Sequence, residues 1–220
     1  MNAAPQNHRC LVFLILLIGI TSYGQEKYNH WSIGINGGFH IPVVTGANGI
    51  SKGRYFGVKQ FGFSSRYMVN QKFGVKAGLG YQKLQYASRK EVGVNMYHFR
   101  LEGVVNIVRF IDPEINYRIF RKFRLFGHAG PGLSFNKSLA SRPSATDHLG
   151  SITFGLTEQY KLNGNLSLFT DLSYITLFRQ NFGFDGKNFP DNGYNSGSYI
   201  SFAIGLIFGL GPHDYHADWY

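Results

Sequence analysis

Apolar and polar positions alternate with period two along most of the chain, the pattern of strands with one apolar face. The last segment is the clearest. Ile200, Phe202, Ile204, Leu206, Phe208 and Leu210 share one face, while Ser201, Ala203, Gly205, Ile207 and Gly209 share the other. Near the start, Trp31, Ile33, Ile35 and Phe39 alternate with Ser32, Gly34, Asn36 and Gly38. Further alternating segments begin at Phe61, Phe73, Tyr97, Phe123, Ile152 and Leu166, which makes eight. Their connections alternate in length. Asn70-Gln71-Lys72 and Asn163-Gly164-Asn165 are tight turns, while 40–57, 87–95, 136–148 and 180–198 are long and polar or Gly-rich. An even number of strands with short turns at one end and long loops at the other is the outer-membrane arrangement. The expected fold is all-β: an eight-stranded antiparallel up-and-down transmembrane β-barrel, with both termini on the periplasmic side. The stretch 110–121 (FIDPEINYRIFR) is a long connection on the short-turn side and is expected to hold a short amphipathic helix.

Composition sharpens this picture. Glycine supplies 28 of 220 residues, about twice the usual ~7%. Aromatics reach 16% and charged residues only 15%. High glycine argues against a helical bundle, since each costs ~1 kcal/mol in a helix interior. It suits a narrow barrel, where small inward residues leave room for a few large ones. The outward faces carry almost no charge; Glu158 is the exception, expected either near the periplasmic interface or turned inward by a bulge. A soluble lipocalin-type barrel is the competing architecture.

Leu11 to Ile20 (LVFLILLIGI) is a ten-residue apolar core preceded by Arg9 and followed by Ser22 and Gly24. This is the layout of a cleaved secretory signal, too short to span a bilayer. The expected division is a signal peptide over 1–24, a barrel over 25–210 and a periplasmic tail over 211–220. A cut after Gly24 also removes Cys10, the single cysteine of the chain. The tail (GPHDYHADWY) reads as disordered rather than as an occupant of the periplasmic mouth.

The segments Phe73–Tyr86 (FGVKAGLGYQKLQY), Tyr97–Arg109 (YHFRLEGVVNIVR) and Phe123–Phe135 (FRLFGHAGPGLSF) resemble the PorT-like outer-membrane β-barrel family. Ala129-Gly130-Pro131-Gly132 is the most recognisable piece. The signal ending Tyr23-Gly24-Gln25 is similar to that of exported proteins of Bacteroidota-type bacteria. Gly205–Leu210 (GLIFGL) is similar to the C-terminal signal by which barrel-assembly machinery recognises its clients. The resemblance implies a barrel in the outer membrane and some relatives that serve in protein secretion; its motifs build walls rather than active sites.

The expected register turns Arg66, Lys76, His98, Arg100, Glu102, Arg124, His128 and Asp171 inward. Unpaired charges in such a lumen are costly, so these groups should pair. Glu102 and His128 lie on adjacent strands, with Arg66, Lys76 and Arg100 as further partners for Glu102, and Arg66 or His128 as partners for Asp171. The expected result is an ionic plug, since eight strands enclose little more than their own side chains. Loop 180–198 is the expected recognition surface, through Phe182, Phe184, Phe189 and Tyr194, unless these rings cap the barrel instead. Lys52, Arg54, Lys59, Arg89, Lys90 and Arg142 fall in or beside the long loops, facing lipopolysaccharide phosphates.

Catalytic chemistry has little support. His30 and Ser32 share a strand face, with Glu102 or Asp171 as the acid, but they sit near the periplasmic end. No HExxH, GxxxxGKS/T or spaced calcium loop occurs, so no cofactor or metal is expected. The formal charge of +10 is scattered rather than gathered into a patch, which argues against nucleic acid. The favoured reading is a non-enzymatic structural or interaction role, with outer-membrane lipid, lipopolysaccharide and a protein partner as the contacts. A secretion or assembly component, a small pore, a lipid-modifying enzyme and a soluble carrier are the alternatives.

Overall fold

The computed structural model describes residues 28–44, 58–86, 89–114, 116–140, 146–189 and 195–220. The expected signal peptide and its cut near Gly24 lie outside the described residues, as do Lys52, Arg54, Arg142, Tyr194 and the side chain of Lys90.

Eight strands follow one another: β1 (Trp31–Val44), β2 (Val58–Met68), β3 (Phe73–Tyr86), β4 (Arg89–Asn106), β5 (Phe123–Ser138), β6 (Thr146–Lys161), β7 (Leu166–Gln180) and β8 (Asn195–Leu210). Each pairs antiparallel with its neighbours in sequence, and β8 closes on β1 from Trp31↔Leu210 onward. Closure leaves no sheet edge, so the backbone groups of the wall are satisfied within the wall.

The alternation read from the sequence decides which way each face points. Phe154 and Leu156 of β6 are 58% and 48% exposed, whereas Thr153 and Thr157 on either side of them are buried. The same holds on β2, where Phe61 and Phe63 face out. An apolar belt therefore encircles the outside. The strands are mostly longer than the ~9–11 residues a bilayer requires. The surplus lies toward the long loops, where outward positions turn polar at Lys59, Lys137, Thr146, His148 and Arg179. Glu158 points outward at the short-turn end of the belt, with Thr170 Oγ1 donating to its carboxylate at 3.3 Å. It keeps its place in register between Leu125 and Thr170, so no bulge turns it inward.

The interior has two apolar layers around a polar middle. At the long-loop end Leu84, Val94, Met96, Leu149, Ile175, Leu177 and Tyr199 form a buried cluster, and Phe182 and Phe184 insert into it. At the short-turn end Tyr28, Met68, Val104 and Phe126 pack with Ala217 of the C-terminal segment.

The connection after β4 differs from the single amphipathic helix expected over 110–121. A four-residue helix, α1 (Val108–Ile111), comes first, and a 3-10 turn at Arg118–Arg121 follows. Val108, Arg109 and Asp112 are buried under the barrel, whereas Phe110, Ile111, Tyr117 and Ile119 stay exposed. Asp112 organises the return of the chain by accepting hydrogen bonds from the backbone amides of Asn116 and Tyr117 at 3.0 and 2.8 Å. Pro113 and the Asp112 ring of bonds interrupt any longer helix.

Candidate functional site

Four of the expected lumen charges form one chain across the interior. Register sets Lys76 of β3 opposite Glu102 of β4, and the ammonium lies 2.6 Å from the carboxylate. On β5, His128 approaches the same carboxylate oxygen at 3.4 Å and Asp171 of β7 at 2.9 Å. His128 reaches past β6 because its register partner there is Gly155. A Cβ on Gly155 would sit 2.5 Å from the imidazole and 2.7 Å from Ser173 Oγ, so a larger residue there would push the ring from its place beside Asp171. Thr157 and Ser173 complete the shell of Asp171, donating at 2.7 and 2.5 Å. His98 and Arg100 meet each other instead, at 2.8 Å. Lys76 is thus the cation that takes Glu102, and His128 the group that takes Asp171.

Arg66 and Arg124 do something the strands alone do not reveal. The C-terminal segment after Leu210 folds back beneath the barrel. Gly211 has φ of 142°, a backbone conformation open to glycine, and lets the chain reverse. Asn29 then clamps the turn: its amide donates to His213 O at 2.6 Å and its side-chain oxygen accepts from His213 N at 2.9 Å. Backbone bonds between Asn29 and both Tyr215 and Ala217, each 2.8 Å, add a short parallel bridge. These contacts aim Asp218 up into the lumen. Its carboxylate pairs with Arg66 and accepts from Gln159 at 3.2 Å. Arg124 donates to the carbonyl of Asp218 at 2.6 Å and stacks over Trp219 at 4.8 Å from the ring centroid. The expected disordered tail is instead an ordered plug. Burial opposes ionisation of Asp218, yet the Arg66 guanidinium and the His216 ring outweigh it and hold the carboxyl well below the usual carboxylate range.

The other end is closed as well. Phe182 and Phe184 are 2% and 1% exposed, so they cap the barrel from inside and do not present an exposed recognition surface. Phe189 is half-buried. Asp147 anchors this loop by accepting from the Asn181 backbone and side chain at 2.7 and 2.8 Å. Ser138 Oγ holds Gly186 O at 2.7 Å, and Gly93 N donates to Asp185 O at 3.1 Å. Between plug and cap the lumen keeps a cavity of about 70 Å³ lined by the charged chain, far below the ~300–1,000 Å³ of small-molecule sites. His30, the sequence candidate for a catalytic base, donates to Met68 O at 2.6 Å and stacks on Tyr67. Ser32 is buried in the wall. Outside, Lys59 donates to Gln85 at 2.9 Å and Arg89 is exposed.

No known protein-family profile matches the chain, and no curated protein sequence is similar to it. Solved structures are. The crystal structure of neisserial surface protein A superposes with a TM-score of 0.52 at 10% identity, covering 82% of this chain and 97% of that one. The fold is the eight-stranded outer-membrane barrel. The N-terminal β-barrel domain of Pseudomonas aeruginosa OprF aligns with 12% identity, a TM-score of 0.49, and coverage of 84% of this chain and 100% of that one. Ail of Yersinia pestis aligns with 16% identity, a TM-score of 0.44, and coverage of 81% and 99%. At such identities the likeness concerns the fold alone.

Proposed function

We propose that this chain is an integral protein of the outer membrane that acts through its surfaces, in a non-enzymatic structural or interaction role, rather than through its lumen. The observation that carries this reading is the closure of the barrel at both ends around an ion-paired interior, beneath an outer wall that is apolar. In this reading the chain is exported with loss of a signal peptide near Gly24, and Gly205–Leu210 is what barrel-assembly machinery recognises. The short turns and the C-terminal plug face the periplasm, and Lys59 and Arg89 face lipopolysaccharide. The likeness of Phe73–Tyr86 and Ala129–Gly132 to PorT-like barrels supports the same placement.

A planar-bilayer recording tests the surface role against the pore. The plugged barrel should insert and show no steady single-channel conductance. Removing Asp218 together with the rest of residues 211–220 leaves the Lys76–Glu102–His128–Asp171 chain in place, so this form should stay nearly closed too. Steady openings of the full chain would contradict the reading.

A further inference from the structure

The short-turn rim carries cations that the lumen does not use. Arg121 ends the 3-10 turn, Lys122 follows it, and Lys161 ends β6. Lys161 N donates to Lys122 O at 2.8 Å, which fixes the two residues side by side. With Leu162, Asp214 and Tyr215 they line an open cleft of about 690 Å³ between the rim and the plug. Lys161 Nζ stands 4.9 Å from the Tyr215 ring and 5.6 Å from Trp219. Among the described residues Arg121 and Lys122 make no ion pair, so Asp214 is the cleft's own carboxylate against three cations. The cleft is also continuous with the apolar belt. Leu162, in its wall, is 52% exposed, and Tyr160 above it is outward and paired with Leu168 of β7.

From this juxtaposition we infer that the rim cleft binds an anionic glycerophospholipid, its phosphate against Arg121, Lys122 and Lys161 and an acyl chain along Leu162 and Tyr160. The inference rests on the membrane reading above. A cationic pocket opening sideways onto an apolar wall suits a lipid better than a free phosphate, because only a lipid satisfies both halves. Each basic residue near a lipid surface favours an anionic headgroup roughly fivefold over a neutral one. Arg121 adds a planar fork that matches phosphate oxygens.

Trp219 provides the readout, since it lies beside Lys161. In a Trp31→Phe background, which removes the second indole, the full chain is reconstituted into vesicles of equal phosphatidylglycerol and phosphatidylcholine. Versions of each lipid carrying dansyl on an acyl chain, with the headgroup unchanged, report energy transfer from Trp219. Phosphatidylglycerol should be enriched, and the enrichment should shrink in high salt because exposed charges are screened. Arg121→Glu combined with Lys122→Glu should lower it by about 25-fold or more, about fivefold for each cation lost. Both residues are exposed, so the barrel should still insert and still migrate differently before and after boiling. Insertion without any lipid preference, or a preference the double variant retains, would overturn the lipid cleft while leaving the membrane reading intact. Binding of millimolar glycerol phosphate to the micellar protein with no lipid preference would identify a soluble-phosphate site and overturn it too. Failure to insert at all would remove the membrane reading and the cleft together.

Discussion

Replacing Asp218 with Asn is expected to destabilise the folded barrel by about 3–5 kcal/mol, the usual result of removing one partner from a buried ion pair. The carboxylate is 1% exposed, and it faces a guanidinium that is itself buried. An amide of the same shape keeps the packing and the Gln159 neighbour but leaves Arg66 with an uncompensated charge. Arg66 also lies 4.6 Å from the Phe126 ring centroid, which offsets only a small part of the loss. Arg66→Met alone should be costly for the mirror reason, and the double variant Arg66→Met/Asp218→Asn should recover much of the sum, because no buried charge is then left over. Urea unfolding in micelles measures all three. The pH dependence has a definite sign. Asp218 in the fold ionises below its ordinary value, so its contribution is complete at neutral pH. It is lost as pH falls below about 4, the ordinary carboxylate value. The gap between the native chain and Asp218→Asn should therefore close on acidification. Equal stability of the two forms at neutral pH would mean that the tail does not plug the barrel.

Phe154→Arg separates a membrane barrel from a soluble one. Phe154 is 58% exposed and sits midway along the outward apolar run of β6, between Tyr160 toward the turns and His148 toward the loops. On the surface of a water-soluble barrel, arginine there would change stability by no more than about 0.5 kcal/mol. In a bilayer the same change at mid-depth costs about 2–4 kcal/mol. Reversible unfolding from lipid vesicles reads the difference, and Thr146→Arg, outside the belt at the loop end, serves as the control and should be close to neutral. Equal effects at the two positions would contradict a lipid-facing belt.

The walls were legible in the sequence because period-two alternation is a one-dimensional signal that survives without any knowledge of neighbours. Ile200 to Leu210 or Ile152 to Tyr160 can be assigned faces by reading alone. The lumen pairs were partly legible for the same reason: once the faces are fixed, Glu102 must meet something, and Lys76 and His128 are within reach. The choice between Arg66 and Lys76 was not legible, because it depends on register: Lys76 stands directly opposite Glu102, and Arg66 lies one strand further away, opposite Lys76. The plug escaped for another reason. Disorder is the ordinary fate of a short polar terminus, and nothing in GPHDYHADWY shows a strand or helix period. A signal was nevertheless present in the charges. The expected register turns four cations inward, Arg66, Lys76, Arg100 and Arg124, against only two carboxylates, Glu102 and Asp171. A lumen so unbalanced calls for another acid, and Asp218 is the one that the geometry supplies. Loop 180–198 posed a symmetrical problem, since a phenylalanine on a Gly- and Asn-rich loop can face out or in. The buried cluster of Leu84, Val94, Met96 and Tyr199 draws Phe182 and Phe184 inward, and each such burial contributes about 1.5–3 kcal/mol.

The most direct measurement is the gel migration of the native chain from isolated outer membranes, run without boiling and after boiling in SDS. A closed barrel with a lipid-facing belt resists the detergent at room temperature, so the unboiled protein should migrate differently from the boiled one and fractionate with the outer membrane. A single position under both conditions, with the protein recovered from the soluble periplasm, would contradict the membrane barrel.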